Sequence, residues 1–259
     1  MNFQRTVAIE EPLISIVDAG PLFRERTLKT SVLQLDELTG GLHSGQVNLF
    51  DSDNSYSTSL LHLLCVRAIS EFDEEVVWID GGNAVDPYGI SSICKRLRLD
   101  KRDILSRVNI SRAFTAYQLV TLIDEKLQEQ VERSAPALVI VSSITEMFLD
   151  KDMKWMESHQ LLRRCLERVA KITKEHETIS IITNNTHQPV RPSPLLTNLL
   201  YEHADLVLQM RTQKDGLLFR LPGRDREVLF APVPWNQTTL DEFRGDSDGK
   251  DSAYLPLGA

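Results

Sequence analysis

The sequence has few cysteines, no long apolar run and no surplus of positive charge. Cys65, Cys94 and Cys165 are far apart and form no Cys-x-x-Cys pair. Neither a disulfide framework nor a cysteine-based zinc site is therefore expected. No stretch approaches the roughly 18 consecutive apolar residues of a membrane span. We expect buried thiols in a reducing compartment, and thus a cytoplasmic protein that does not cross a membrane.

Positively charged residues are fewer than negatively charged ones. The 259 residues contain 29 Lys and Arg against 37 Asp and Glu, a formal charge of -8. This balance argues against a protein that coats DNA through general electrostatic attraction, although it leaves room for a local basic groove. Five acids after residue 240, against Arg244 and Lys250, place -3 of the charge at the end of the chain. No histidine pair has i, i+4 spacing, so no metal site is expected.

Apolar strands and amphipathic helices alternate along the chain, which predicts an α/β domain with a mostly parallel, twisted sheet flanked by helices. The strands are predicted at 46–50, 75–80, 108–112, 137–141, 178–183, 204–210 and 217–221. The helices are predicted at 31–39, 60–69, 88–98, 117–133 and 155–176. The last two strands suggest an antiparallel hairpin at one edge. We divide the chain into an N-terminal extension (1–30), a core (31–240) and an acidic flexible tail (241–259).

Five segments occur in an order that resembles the RecA/RadA recombinase family, in particular its archaeal-type RadA paralogues that do not form filaments. They are Leu35-Asp-Glu-Leu-Thr-Gly-Gly-Leu-His-Ser-Gly45, Val76-Val-Trp-Ile-Asp80, Asn109-Ile-Ser-Arg-Ala-Phe-Thr115, Leu138-Val-Ile-Val-Ser-Ser-Ile-Thr145 and Ile181-Ile-Thr-Asn-Asn185. The resemblance covers roughly residues 31–232. It implies a RecA-like ATPase core that binds ATP between subunits and DNA on two loops.

The phosphate-binding loop of that family is degenerate in this chain. A working loop reads G-x-x-x-x-G-K-[ST], in which backbone N–H groups and the Lys hold the phosphates and the hydroxyl holds magnesium. The matching stretch is Asp51-Ser-Asp-Asn-Ser-Tyr-Ser-Thr58. Asp51 and Tyr56 replace the two glycines, Ser57 replaces the lysine, and only Thr58 remains. Asp51 and Asp53 are expected to repel polyphosphate, and acids and hydroxyls of the loop are expected to cap the following helix.

Three further positions of the family's ATPase site also differ. Ser142 stands at the magnesium-side aspartate, Gly82 at the water-activating glutamate, and Asn185 at the sensor glutamine. Without the phosphate clamp, the metal ligand and the base, little of a phosphoryl-transfer apparatus is left. We therefore predict a pseudo-ATPase that needs neither ATP nor magnesium.

The turn after the second predicted strand carries Asp80, Asn83 and Asp86. These residues could line a small pocket or hold a cation, because ligand sites lie at such strand ends. The simpler interpretation, which we favour, is a tight Gly81-Gly82 turn followed by a helix that starts at Asp86-Pro87.

Two stretches match the family's DNA-binding loops, and cations with an aromatic side chain would suit single-stranded DNA. The candidates are Lys151, Lys154, Trp155, His187, Gln188 and Arg191. Solvated loops explain the same residues equally well. Basic residues also cluster at 95–107, at 163–174 and at 220–226, where a solvated helix face is the usual explanation.

Family filaments dock a Phe-x-x-Ala segment onto the sheet edge of the neighbouring subunit, and this sequence contains no such segment. Self-polymerisation is therefore not expected, whereas a RadA-type recombinase or another paralogue is a plausible partner. Three functions remain open. The chain is a non-catalytic, DNA-binding or recombinase-interacting accessory protein of homologous recombination or DNA repair, a divergent DNA-dependent ATPase, or a regulatory interaction module that binds neither DNA nor ATP.

Overall fold

Apolar strands along the chain pair into one eight-stranded sheet in a computed structural model that describes residues 26–150, 152–185 and 194–231. The strands are β1 (Thr27–Leu28), β2 (Leu42–His43), β3 (Val47–Ser52), β4 (Val76–Asp80), β5 (Val108–Arg112), β6 (Leu138–Ser142), β7 (Ile179–Asn185), β8 (Leu206–Gln213), β9 (Gly216–Leu221) and β10 (Arg226–Phe230). β1 and β2 form a separate antiparallel pair.

Helices connect the strands and cover both faces of the sheet. They are α1 (Leu33–Thr39), α2 (Tyr56–Phe72), α3 (Pro87–Arg96), α4 (Lys101–Ser106), α5 (Ala116–Thr121), α6 (Leu127–Ser134), α7 (Trp155–His176) and α8 (Pro194–His203). A π-helical turn at Leu122–Lys126 joins α5 to α6, and 3-10 turns lie at Glu146–Leu149 and Pro222–Arg224.

The strand order in the large sheet is β10-β9-β8-β3-β7-β6-β4-β5. The six strands from β8 to β5 run parallel, whereas β9 and β10 are antiparallel additions at the other edge. The predicted α/β class with an antiparallel edge hairpin is confirmed. Because all six parallel strands end at the same edge, the segments that follow β3, β4 and β6 meet there beside the end of β7.

The central strands are apolar on both sides because each face packs against its own layer of helices. Phe50, Trp78 and Ile140 belong to the core beneath α1 to α4, whereas Leu49 and Val141 belong to the core beneath α5 to α8. The strand alternation therefore sends successive side chains into two different cores.

Several elements differ from the sequence-based expectation. The helix predicted at 117–133 is interrupted by the π-helical turn, which inserts an extra residue and widens the helix locally. α4, α8 and β10 were not expected. α4 has six residues rich in charge, and β10 is exposed at most positions, so neither has a clear apolar period. The domain boundaries remain predictions.

The three cysteines are free and buried, as expected. Burial raises the pKa of the Cys165 thiol to about 12, so this group is an unreactive apolar residue. Within the described ranges, no helix is long and apolar enough to cross a membrane.

Candidate functional site

The stretch Asp51–Thr58, matched in sequence to the family's phosphate loop, lies where strand β3 passes into helix α2. β3 ends at Ser52, three loop residues follow, and α2 begins at Tyr56. The geometry of a strand, a short loop and a helix is therefore kept, although the chemistry of the loop is changed. Ser55 occupies the N-cap position, but its side chain makes no capping hydrogen bond. Instead, the Asn54 Oδ1 accepts a hydrogen bond from the Tyr56 backbone N–H at 2.9 Å.

Asp51, at the first glycine position of the loop, is the centre of a buried polar network. Its side chain is 1% exposed and forms an ion pair with Arg211 of β8. The Tyr201 hydroxyl donates to Asp51 Oδ2 at 2.6 Å, and the Asn184 amide donates to Oδ1 at 2.9 Å. The Arg211 guanidinium also donates to the Asp51 carbonyl at 2.6 Å.

This network corrects the expectation that Asp51 presents an unpaired negative charge to a phosphate. A buried carboxylate with a cation and two further donors is neutralised by its own protein. The expectation that acids of the loop cap α2 is also wrong, since Asn54 takes that role. The polar groups of Asp51 are therefore occupied by internal contacts.

Asp53 fastens the same loop to β8. Its carboxylate accepts hydrogen bonds from the Thr212 backbone N–H at 2.9 Å and from the Thr212 hydroxyl at 3.0 Å. The Asp53 backbone N–H donates to the Met210 carbonyl at 3.2 Å. Hydrogen bonds of Asp53 thus hold the loop against β8.

Tyr56, at the second glycine position, points into the core rather than toward a ligand. It is 2% exposed, and its ring packs against Phe219 and Phe230 at centroid distances of 5.8 and 5.7 Å. Burial raises the pKa of its phenol. A tyrosine is thus accommodated because the antiparallel strands β9 and β10 supply aromatic neighbours.

Ser57, at the lysine position, links helix α2 to the ends of two strands, β7 and β6. Its hydroxyl donates to Asn185 Oδ1 at 3.1 Å, and the Asn185 amide donates to Ser143 Oγ at 3.0 Å. Thr58, the one retained loop residue, donates its backbone N–H to the Ser55 carbonyl at 3.1 Å. The neutral hydroxyl of Ser57 cannot supply the positive charge of the missing lysine.

Ser142, at the magnesium-side aspartate position, connects two buried groups. It accepts a hydrogen bond from Trp78 Nε1 at 2.9 Å and donates to Asp80 Oδ1 at 3.0 Å. Asp80 also accepts the Ala84 backbone N–H at 2.9 Å and pairs with Arg112 at 3.1 Å. The Asp80 carboxylate thereby organises its own turn, which supports the structural interpretation of that segment.

The segment after Asp80 starts helix α3 as the favoured interpretation predicts. Asp86 is the N-cap and accepts the Tyr88 backbone N–H at 2.9 Å, and Pro87 is the first helical residue. Asn83 is exposed and has a left-handed φ of 54°. Among the described residues, no group of three His, Cys, Asp or Glu side chains is placed to hold a metal ion.

Gly82, at the position of the water-activating glutamate, has no space for a side chain. A Cβ atom at this residue would lie 2.3 Å from Ser143 Oγ and 2.4 Å from Ser143 Cβ. It would also lie 3.0 Å from Glu146 Oε2. Burial raises the pKa of the Glu146 carboxyl, an effect that a hydrogen bond with Ser143 opposes.

The structure brings all seven predicted nucleotide-site positions to one edge of the sheet, and it adds residues that sequence reasoning missed. The missed residues are Tyr201 and Arg211, which contact Asp51 from α8 and β8, and Gln209 of β8, whose amide donates to the Tyr201 hydroxyl. They lie 150 or more positions from Asp51, and no local pattern marks them.

Of the DNA-binding candidates, Lys154 and Trp155 lie in the part of the chain that the structure describes. Lys154 is the exposed N-cap of α7, and Trp155 is 49% exposed with its ring 5.5 Å from that of His159. Lys151, His187, Gln188 and Arg191 lie outside the described residues.

Comparison with known protein families agrees with this architecture. The sequence model of the Rad51 family matches residues 24–197, about two thirds of the chain. The matched segment contains the degenerate loop, Gly82, Ser142 and Asn185, whereas Arg211 lies beyond it. The chain therefore belongs to the Rad51 family of recombination and DNA repair proteins.

Proposed function

We propose that this chain is a non-catalytic accessory protein of homologous recombination or DNA repair that acts by binding rather than by ATP turnover. One observation carries the proposal: the polar groups at the family's ATPase positions are engaged in contacts within the protein. Ser57 is bonded to Asn185, Ser142 to Asp80, and Asp51 to Arg211. A nucleotide would have to break these contacts. The lysine, aspartate and glutamate that would bind the nucleotide and its magnesium in their place are replaced by Ser57, Ser142 and Gly82.

A second observation favours the alternative of a divergent ATPase. The Glu146 carboxylate reaches the space in front of Gly82, where the family's glutamate side chain would begin. A carboxyl group with a raised pKa could serve as a general base there. The lost phosphate clamp and metal ligand remain unreplaced in this alternative, and we therefore rank it second.

The test is calorimetric titration of the purified full chain with MgATP, together with a hydrolysis assay. We expect neither a stoichiometric binding heat nor hydrolysis above the rate of the buffer control. The variant Glu146→Gln is the matched control, since any genuine activity that uses Glu146 would fall with it. Stoichiometric, magnesium-dependent binding, or hydrolysis that Glu146→Gln abolishes, would overturn the non-catalytic role.

The open edge of β5 supports a role in binding a partner. In the described structure β5 pairs only with β4. Beside it lies a cavity of about 410 Å³ with an apolar floor that includes Val77, Ile79 and Leu127, and a rim that includes Lys126 and Arg133. An extended segment could add a strand to such an edge and place a side chain in the cavity. We propose that a recombinase of the family, or another paralogue, supplies a segment of the Phe-x-x-Ala type.

A fluorescent peptide that contains Phe-x-x-Ala tests this partner role by anisotropy. Ile110 of β5 and Leu229 of β10 lie on opposite edge strands and are 45% and 47% exposed. We expect Ile110→Arg to weaken peptide binding at least about 10-fold, the effect of losing a well-placed apolar contact. Leu229→Arg should leave it unchanged. Equal effects of the two substitutions, or no binding by the unmodified protein, would exclude this site.

Free, buried cysteines are consistent with a reducing compartment, and we keep the cytoplasm as the proposed location.

A further inference from the structure

The three basic clusters of the sequence differ in how far the fold neutralises them. On α7, Arg164 pairs with Asp124 at 2.6 Å and Lys171 pairs with Glu175 at 3.6 Å, while Arg168 donates to the Asp124 carbonyl. The fold thus gives two of the five cations of this cluster a carboxylate and a third a backbone oxygen, whereas Arg163 and Lys174 are exposed and have no carboxylate partner among the described residues. The three contacted cations are largely accounted for by the fold itself.

The cluster on β9 and β10 is also satisfied in part. Arg220 lies 4.0 Å from Asp225 and 3.9 Å from Glu227, and Arg226 donates to the Glu37 carbonyl at 3.1 Å. The surface here mixes both signs of charge.

The third cluster is the corner formed by the end of α3, the turn at 97–100 and the start of α4. We refer to its five cations as the α3–α4 corner; they are Lys95, Arg96, Arg98, Lys101 and Arg102. All five are exposed, and among the described residues none of their side chains has a carboxylate partner. The neighbouring Arg107 differs, because it pairs with Asp73 and Asp103.

The backbone holds the five cations close together. α3 and α4 pack on each other across a turn of four residues, in which Arg98 has a left-handed φ of 56°. The Leu97 and Leu99 backbone N–H groups donate back to α3, to the Ile93 and Cys94 carbonyls at 2.9 Å each. The corner is therefore an ordered platform.

Helix stability explains only part of this charge. Lys95 and Arg96 lie in the last turn of α3, where cations suit the helix dipole. Lys101 and Arg102, in contrast, open the first turn of α4, where cations oppose the dipole. Partial burial lowers the pKa of Arg96, a sign that its guanidinium has lost water without gaining a carboxylate.

The corner lies far from the degenerate nucleotide site along the strands. Arg107, which directly follows α4, is tied to Asp73 at the end of α2, and both residues precede strands of the sheet. The cluster thus lies at the amino ends of β4 and β5. Asp51, Gly82 and the segment after β6 lie at the carboxyl ends.

We propose that the α3–α4 corner binds the phosphate backbone of a nucleic acid. Five exposed cations lie within eight residues and have no carboxylate partner in the described part of the chain, so they suit contacts with several phosphates, and contacts of this kind carry no sequence preference. The accessory protein would then bind DNA at the amino ends of the strands, away from the edge of the sheet at which β6 and β7 end. The proposal depends on the proposed function only for the choice of DNA as the nucleic acid. ATP binding and DNA binding are measured separately, so the two proposals are tested independently.

The test is an anisotropy titration of labelled duplex and single-stranded DNA with the full chain between about 50 and 200 mM salt. The variant Lys101→Gln/Arg102→Gln removes two cations. We expect it to weaken binding about 10-fold and to reduce the slope of log affinity against log salt by about 2 for duplex or about 1.4 for single-stranded DNA. The DNA form with the larger change is the one that the corner contacts.

Arg164→Gln/Lys171→Gln on α7 is the matched control, because it changes net charge equally at cations that are already paired. We expect it to change the affinity less than 2-fold. An equal effect of both variants would show that only net charge matters and would overturn the proposal. The absence of salt-dependent binding by the unmodified protein would also overturn it.

Two further outcomes would reassign the surface. Loss of DNA binding in Lys154→Gln/Trp155→Ala, with Lys101→Gln/Arg102→Gln unaffected, would place DNA at the carboxyl ends of the strands and overturn the proposal. A peptide of residues 241–259, which carries five acids, is the second probe. If it bound the corner more tightly than either DNA did, an acidic protein segment would be the ligand, and the proposal would fall. A failure on DNA leaves the MgATP result intact, so the two proposals can fail independently.

Discussion

The carboxyl ends of the strands and the α3–α4 corner use polar residues in opposite ways. At the carboxyl ends, Asp51 and Asp80 are buried and each has a cation and several hydrogen-bond donors. At the corner, the cations are exposed and have no carboxylate partner among the described residues. In the first region the charged groups pair with one another inside the protein, whereas in the second they are exposed to solvent. The family resemblance alone would have placed function at the first region.

The largest predicted effect comes from breaking the Asp51 network. Asp51→Ala should lower the free energy of unfolding by about 3 kcal/mol, because it leaves the Arg211 guanidinium and the Tyr201 hydroxyl without their acceptor. Chemical denaturation monitored by circular dichroism measures the change. Lys171→Ala, which removes an exposed pair, is the control and should cost less than about 1 kcal/mol.

The variant Asp51→Ala/Arg211→Ala completes a double-mutant cycle. Its total cost should be smaller than the sum of the two single effects, since the second substitution removes the orphaned charge. Additive costs, or a loss below about 1 kcal/mol for Asp51→Ala, would show that the carboxyl ends do not depend on internal pairing.

A side chain at Gly82 should give the second largest effect. Gly82→Ala forces a Cβ atom into Ser143 and should destabilise the protein by about 1–3 kcal/mol, as overpacked cores do. Gly223→Ala is the matched control, because a Cβ atom there meets no atom within 4 Å. Equal unfolding midpoints for both variants would mean that the position is open enough to accept the family's glutamate.

Alkaline pH should weaken the Asp51 network through Tyr201. Partial burial, and secondarily the hydrogen bond to Asp51, raise the pKa of Tyr201 to about 12. The folded state therefore holds this proton more tightly than the unfolded chain, whose tyrosine has a pKa near about 10. The contribution is complete below about pH 10 and is lost as the pH rises toward about 12.

We expect the stability difference between the unmodified protein and Tyr201→Phe to shrink by about 1 kcal/mol across that window, a value reduced for the partial exposure of the hydroxyl. Denaturation series at about pH 9, 10, 11 and 12 compare the two proteins. A difference that stays constant with pH would contradict the role of the Tyr201 proton.

The smallest predicted effect is the one that defines the corner. Lys101→Gln/Arg102→Gln should change the free energy of unfolding by less than about 0.5 kcal/mol, and the sign should favour the variant, because cations in a first helical turn oppose the dipole. A loss of more than about 1 kcal/mol would show that these cations serve the fold, and the contrast with the carboxyl ends would disappear.

The sequence was sufficient for the α/β class and for the order of the strands from β3 to β9, whereas the alignment of Ser57, Ser142 and Gly82 with the ATPase positions stays a prediction. α7 and β5 were predicted with the bounds that the structure gives them, because one has a long helical period and the other lies between clear breaks. These features depend on neighbours in the chain, which a sequence pattern can report.

Long-range pairing could not be read in the same way. Whether Asp51 is a bare or a paired carboxylate depends on Arg211, which is 160 positions away and reaches it only because β8 lies beside β3. The three basic clusters also look alike in sequence. Only the folded chain shows that Asp124 and Glu175 pair with Arg164 and Lys171 of α7, while no carboxylate of the described residues pairs with Lys101 or Arg102.

The ion pair between Asp51 and Arg211 also governs how the loop could be redesigned. Placing glycine at position 51 first would remove the carboxylate partner of Arg211 and leave its guanidinium facing only backbone carbonyls. The fold would then be destabilised before any phosphate could bind. Replacing Arg211 first would instead leave the buried Asp51 carboxylate without its cation. The route to a nucleotide-binding variant therefore requires both ends of the pair to change in one step, and it begins on a strand that lies beyond the family-matched segment.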